Sequence, residues 1–265
     1  MNEAARKFLK FLKMSFAGAW ILTFHLLVFH ISGRAQGLVP DGGYLRLSGV
    51  PSAAQRFLLA AGTRLRRPGK ERITAVGSLS RNQGAASPVE ITWEFSQKIR
   101  IDDGRGTVIF DRGNPSQALP ATREAADAVE TLLEDSLEGF FANERGRSIR
   151  FLGSGFRART GNPGEPSFEI VEVWSRSRFR NGAAPTVKQY WFDARTKLLS
   201  RVIYRIAAVP GSGFVEVFWS DWRDVAGEKV AFRVERKEAG ATTLQLALTS
   251  ALVSPRADDG RFSGR

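Results

Sequence analysis

The chain has no cysteine, and its two histidines, His25 and His30, both lie within the first 31 residues. Residues 32–265 therefore hold neither type. That excludes Ser-His-Asp and Cys-His nucleophilic mechanisms from the main body of the chain. It also removes the usual donor sets for zinc, copper and haem iron. No disulfide can staple the fold and no thiol can carry a lipid, so stability must come from an apolar core. Phosphate-cradling glycine loops are missing too, with no G-x-x-x-x-G-K-[ST] and no G-x-G-x-x-G after a strand.

Long apolar runs are absent except at the N-terminus. Arg6, Lys7, Lys10 and Lys13 face a single acid, Glu3, in residues 1–13. Residues 14–31 are apolar apart from Ser15, Thr23, His25 and His30, and the small residues Gly33 and Ala35 follow. A basic region, an apolar region and small residues predict a signal peptide over 1–35, cleaved after Ala35. The alternative is an uncleaved N-terminal membrane anchor, for which the run is near the minimum length. On either reading the remainder lies outside the cytoplasm.

Acids are outnumbered. The chain has 39 Lys and Arg against 27 Asp and Glu, a net charge of +12. Five of the bases and one acid lie in the first 35 residues, which leaves 34 bases against 26 acids, a net +8. In an exported chain this points to an anionic head group or acidic glycan and not to nucleic acid. An Arg-rich solvated surface accounts for the same excess. Paired carboxylates alone can hydrolyse glycosides, and Asp102, Asp103, Glu134, Asp135 and Asp221 are the candidates. Turns or a solvated helix face explain each of them more simply. An oxygen-only calcium site at Asp102–Asp103 or Asp258–Asp259 is no more specific. The expectation is no catalytic residue, no metal and no cofactor.

What is present is alternation. Strands are predicted at 72–80, 89–95, 98–102, 107–110, 150–156, 168–174, 188–192, 198–206, 214–222, 230–237 and 242–252, from apolar residues at every second position. Asp102 to Gly106 reads as a hairpin turn. Helices are predicted at 53–65, capped by Ser52, and at 121–143. In the latter, Val129, Leu132, Leu133, Leu137, Phe140 and Phe141 form an apolar stripe. Its acids, Glu124, Asp127, Glu130, Glu134, Asp135 and Glu138, are expected to face solvent. No linker is long enough to divide the chain, so residues 37–254 are read as one domain with a flexible tail over 255–265.

Strand 214–222 is apolar on both faces, with Val215, Val217 and Trp219 on one and Phe214, Phe218 and Trp222 on the other. Such a strand is expected to be covered on its second face by a helix or a ligand. Trp93, Trp174, Trp191, Trp219 and Trp222 all fall in or beside strands. They fill a core on the simpler reading and line an apolar cavity on the other.

Two stretches carry a family resemblance. One is Lys188-Gln189-Tyr190-Trp191-Phe192-Asp193-Ala194-Arg195-Thr196-Lys197-Leu198-Leu199. The other runs from Phe218-Trp219-Ser220-Asp221-Trp222 through the turn Val225-Ala226-Gly227-Glu228 to Val234. Over 187–253 the chain resembles the periplasmic lipoprotein carriers, the LolA/LolB-like superfamily, and their outer-membrane lipoprotein-sorting relatives. It departs from them with Ala231 where proline is usual. The resemblance implies an α+β, mainly β fold: a single strongly curved antiparallel sheet, an incomplete barrel, with two helices packed on its open side. It also implies a periplasmic location and an apolar space that receives acyl chains.

The leading expectation is a non-enzymatic binder or carrier of lipid or lipoprotein acyl chains. Trp93, Phe95, Val217, Trp219 and Phe232 are the expected cavity lining. Leu133, Leu137, Phe140 and Phe141 are the expected inner face of a lid helix. Basic residues at the rim would meet an anionic head group, and contact with envelope proteins would be transient. A sensing or envelope-assembly module that binds a protein partner is the alternative. A carboxylate-based glycan enzyme is the third reading.

Overall fold

The computed structural model describes residues 71–94, 98–114, 120–142, 148–157, 166–175, 186–205, 213–256 and 260–262. The predicted leader and the predicted helix at 53–65 lie outside these residues. Within them the fold is mainly β. The strands are β1 (Glu71–Arg81), β2 (Ser87–Glu94), β3 (Lys98–Asp103), β4 (Gly106–Asp111), β5 (Ser148–Arg157), β6 (Ser167–Ser175), β7 (Thr186–Asp193), β8 (Leu199–Arg205), β9 (Phe214–Val225), β10 (Glu228–Glu238) and β11 (Ala241–Pro255). They form one antiparallel sheet of eleven strands in the order β4-β3-β2-β1-β11-β10-β9-β8-β7-β6-β5. The end strands β4 and β5 do not pair with each other, so the sheet is not a closed barrel.

Local chemistry sets the hairpins. Ala226 and Gly227 both have positive φ, 51° and 86°, as do Ala239 and Gly240, 51° and 82°. A two-residue connection of that hand matches the twist of the strands it joins, and glycine at the second position adopts it without steric cost. Asp224 Oδ1 accepts the Gly227 N–H at 2.8 Å. Between β7 and β8, Asp193 Oδ1 accepts from the N–H groups of Arg195 at 2.9 Å and Thr196 at 2.6 Å. Partial burial pushes the Asp193 carboxyl up, but these donors hold it below its ordinary value.

One face of the sheet carries the core. Along β7, Thr186, Lys188, Tyr190 and Phe192 are buried while the intervening residues are half-exposed. Val202 and Tyr204 of β8, Val215, Val217 and Trp219 of β9, Val234 of β10 and Leu244, Leu246 and Leu248 of β11 continue that face. On the other face, β9 departs from expectation. Phe214 is 54% exposed, and Phe218 is half-buried. Among the described residues, cations lie against these rings. Arg201 lies 5.1 Å from the Phe218 ring and 5.8 Å from Trp191, and Lys237 lies 5.3 Å from Phe218.

The predicted helix 121–143 is broken. It runs as α1 (Arg123–Val129), a π-helical turn (Glu130–Glu134) and α2 (Leu137–Ala142). Thr122 caps α1 by accepting the Ala125 N–H. Asp135 N–H donates to Glu130 O, the i to i+5 bond of a π turn. Ser136 then donates to Leu133 O at 3.1 Å and accepts from Gly139 N–H at 2.9 Å, which starts α2. A π turn rotates the following residues relative to an α-helical register. Glu130, Glu134 and Asp135, expected in solvent, are buried. At the other end of the chain, Arg100 donates to Arg261 O, and Phe262 lies 5.7 Å from Arg72 and from Lys98.

Candidate functional site

Where the helical segment meets the sheet there is an apolar cavity of about 30 Å³. Its walls are Ile73 of β1, Trp93 of β2, Leu132 of the π turn, Trp219 and Trp222 of β9, Val230, Ala231 and Val234 of β10, and Leu246 of β11. The strands supply most of the lining because alternation delivers one side chain in two to this face. Trp222 is the exception. Regular alternation from Trp219 sends it to the opposite face. Asp221 has φ +53°, which interrupts the strand, and the two indoles stack at 6.4 Å with planes 30° apart. Aspartate tolerates that left-handed conformation better than most residues. The Trp222 N–H donates to Leu199 O at 3.0 Å.

The expected lining residues divide. Trp93 and Trp219 border the cavity. Val217 and Phe232 are buried in the core beside it, Phe232 with the Arg223 guanidinium 4.2 Å from its ring. Phe95 lies outside the described residues, as does the side chain of Phe141. Leu133, Leu137 and Phe140 belong to the same core, and Phe140 packs at 4.9 Å from Tyr190 and 5.3 Å from Phe192. Sequence reasoning did not select Leu132, the helical residue that borders the cavity. It lies in the apolar stripe, but the π turn decides which leucine of the stripe points there.

Beside this core lies a buried polar cluster that the sequence did not announce. Lys188 of β7 is 1% exposed, and its ammonium lies 3.2 Å from Glu130 Oε1 and 2.5 Å from Asp135 Oδ1. Tyr204 donates to Asp135 Oδ2 at 3.0 Å, and Tyr190 donates to Glu134 O at 3.2 Å. Arg112, just past β4, reaches Glu134 at 3.2 Å. A charged pair this deep is tolerable only when its remaining hydrogen-bonding capacity is met. Here one ammonium serves two carboxylates. Burial pushes the Asp135 carboxyl up to about 6, and Glu130 adds to this while Lys188 opposes it. Burial pulls the Lys188 ammonium down, yet Asp135 and Glu130 together hold it well above its ordinary value. Burial also raises the Tyr204 hydroxyl well above its ordinary value, with Asp135 adding to it.

The remaining candidate acids have structural partners. Asp102 pairs with Arg100 at 2.6 Å and accepts from Thr107, and the Arg100 hydrogen bond holds its carboxyl below the ordinary value. Asp103 pairs with Arg81 at 2.5 Å and accepts the Arg105 N–H. Asp221 pairs with Arg223, whose hydrogen bond lowers its carboxyl. Asp258–Asp259 lies outside the described residues. Among the described residues, no group of three or more acids is arranged to hold a metal ion, and no helix is long and apolar enough to cross a membrane.

No protein-family model matches the sequence, and no curated protein matches it. Solved structures do. A domain assigned as an outer membrane lipoprotein-sorting protein, from Vibrio parahaemolyticus, is similar at a TM-score of 0.51 and 8% identity, over 78% of this chain and 95% of that one. A DUF1329 family protein from Desulfovibrio piger is similar at 0.50 and 8% identity, over 79% and 95%. A LolA superfamily protein from Nitrosomonas europaea is similar at 0.49 and 9% identity, over 78% and 96%. At such identities the first two comparisons establish the fold: this chain is built on the architecture of the lipoprotein-sorting domain.

Proposed function

We propose that the chain is an exported, non-enzymatic carrier that takes acyl chains of a lipid or lipoprotein between its sheet and the segment 123–142. The observation that carries the reading is the apolar cavity where that segment meets the sheet, walled by three tryptophans and bordered by Leu132. The shared fold with a lipoprotein-sorting domain supports it. So does the burial of Glu130 and Asp135, the two acids that converge. Each is 0% exposed, which denies a substrate access to them and argues against carboxylate catalysis.

A strongly curved sheet is part of this reading, and two ion pairs support it. Arg112 follows β4 and Lys188 lies on β7, eight strands away in the sheet order. In a flat sheet that separation is about 38 Å. Yet the two side chains bind neighbouring residues, Glu134 and Asp135.

At about 30 Å³ the cavity has room for a water-sized group and none for an acyl chain. Uptake therefore requires the segment to move as a lid. Burying a twelve-carbon chain yields about 10 kcal/mol at 0.8 per methylene. Against this gain stand the ion pairs that opening would break, Lys188 with Glu130 and Asp135 and Arg112 with Glu134. The expected location is periplasmic, after removal of residues 1–35 or tethered by them. To test the reading, the protein is purified from a diderm envelope and examined by native mass spectrometry with lipid extraction. Co-purifying lipid, or uptake of a fluorescent fatty acid, is expected; absence of both refutes it.

The second reading, a module that binds a protein partner, is favoured by the outer face. Phe214 is exposed there, and Trp191, Arg201 and Phe218 stack across three neighbouring strands. Pull-down from envelope extract, lost on Phe214→Ser, is the result that would favour it.

A further inference from the structure

On the outer face of β8, β9 and β10, positive charge goes partly unanswered. The side chains that alternate away from the core include Arg201 and Arg205 on β8, Phe214, Glu216, Phe218 and Ser220 on β9, and Arg233, Glu235 and Lys237 on β10. The register sets Arg205 opposite Phe214, Glu216 opposite Lys237, Phe218 opposite Glu235 and Ser220 opposite Arg233. Both acids are engaged within the face. Glu216 pairs with Arg201, while Glu235 accepts from Thr242 at 2.9 Å and lies 3.6 Å from Lys237. Arg205 and Arg233 are exposed, and neither forms an ion pair among the described residues. Arg205 lies instead 5.2 Å from the Phe214 ring. The adjoining positions of β11 and β1 bring no acid, since Glu235 and Arg233 are followed across the sheet by Gln245 and Ala247, then by Ser80 and Ser78. These small side chains leave a groove of about 360 Å³ beside Arg233, which is room for a polar head group.

We propose that this face docks the protein on an anionic lipid bilayer. The proposal goes beyond the cargo reading and does not depend on it, because it uses the side of the sheet away from the core. Arg205 and Arg233 stand beside Phe214 and Ser220, six residues apart along β9, which is about 20 Å. One small anion cannot meet both cations, whereas a surface studded with phosphates meets both at once. A soluble polyanion also spans that distance, but it gives no place to Phe214, which is 54% exposed. At a bilayer the ring enters the interface, and Arg205, laid along it, keeps its guanidinium among the phosphates. A protein partner would have to bring two acids at the same spacing and an apolar socket between them.

The test is co-sedimentation of the full chain with vesicles of equal parts phosphatidylglycerol and phosphatidylcholine, against vesicles of phosphatidylcholine alone. Binding to the anionic vesicles is expected, with little to the neutral ones, and it should weaken steeply as salt is added. Arg205→Gln and Arg233→Gln should each weaken it about fivefold, the worth of one base near an anionic surface. Phe214→Ser should weaken it several-fold at unchanged charge. Arg105→Gln makes the same change of charge in the exposed turn between β3 and β4 and should leave binding nearly unchanged. All four side chains are exposed, and circular dichroism checks that each variant keeps the fold. An equal loss in Arg105→Gln overturns the proposal, because the attraction then belongs to net charge and not to this face. Equal binding to both kinds of vesicle overturns it as well, as insertion without regard to charge. Sedimentation with neither overturns it too, and an envelope protein captured by the wild type but not by these variants would then assign the face to that partner. Each of these failures leaves the carrier reading standing, since lipid uptake tests that separately.

Discussion

An ammonium as deeply buried as that of Lys188 is costly unless carboxylates repay it, and Glu130 and Asp135 both do. Replacing it leaves two buried acids against each other. Lys188→Met should therefore lower stability by about 3–5 kcal/mol near neutral pH. Part of the loss should return as pH falls below about 6, where the Asp135 carboxyl takes up a proton. Urea unfolding at the two pH values checks both halves. Asp135 itself gives a second expectation. A carboxyl whose folded pKa is raised stabilises the fold fully below its unfolded value, and that stabilisation is lost as pH rises through the folded value. For Asp135 the window runs from 3.8 to about 6. Asp135→Asn should flatten the decline in stability across that window, measured at constant ionic strength. Lys188, held high, keeps its charge throughout it. None of this was legible from residue order. The acids looked like the solvated side of a helix, and only the alternation of Lys188 with Tyr190 and Phe192 hinted that a lysine occupied a core position.

Strands were the legible elements, since period-two alternation and tight turns are local properties. The predicted strands fall within a few residues of the observed ones, and the Ala-Gly turns at 226–227 and 239–240 follow from residue type alone. The helix was harder because its break depends on distant partners, Lys188 and Arg112, that draw Glu130, Glu134 and Asp135 inward. Gly139 marks the consequence. Helix propensity favours alanine over glycine by about 1 kcal/mol, so Gly139→Ala is expected from sequence to stabilise α2. A Cβ there would instead collide with Leu133 O and the Glu134 backbone. Neither is the end of a flexible side chain, so the backbone must shift. The variant should lose about 1–3 kcal/mol, read as a lower thermal midpoint. A rise in the midpoint would mean that the turn and α2 can separate without penalty.

At the scale of the whole molecule, the sheet order turns on one pairing that local sequence does not specify. β11 returns to lie beside β1, which joins the first four strands to the last seven. That pairing brings Ile73 and Trp93 from one end of the chain to Trp219, Ala231 and Leu246 from the other, and the cavity exists only where they meet. Leu132 borders the same gap. Space at this junction is either a packing fault or the seed of a larger site, and the two differ in what filling it does. Ala231→Val adds two methyl groups to the cavity wall on a residue type suited to a strand. On either view the fold gains about 1 kcal/mol from the added burial. If the gap is a packing fault, uptake of a fluorescent fatty acid is unchanged. If the gap is where an acyl chain begins to enter, the added methyl groups occupy its path and tighten the contact with Leu132. Uptake should then fall several-fold as the unfolding midpoint rises, a trade between stability and function expected when a site is held open at a cost. Hydrogen exchange supplies the matching dynamic reading in the same pair of proteins. Amides of 123–142 should exchange faster than those of β1, β10 and β11 in the wild type, slow on addition of fatty acid, and begin slower in Ala231→Val. A segment as protected as the central strands in the wild type would mean that it does not open, and cargo would have to enter by another route.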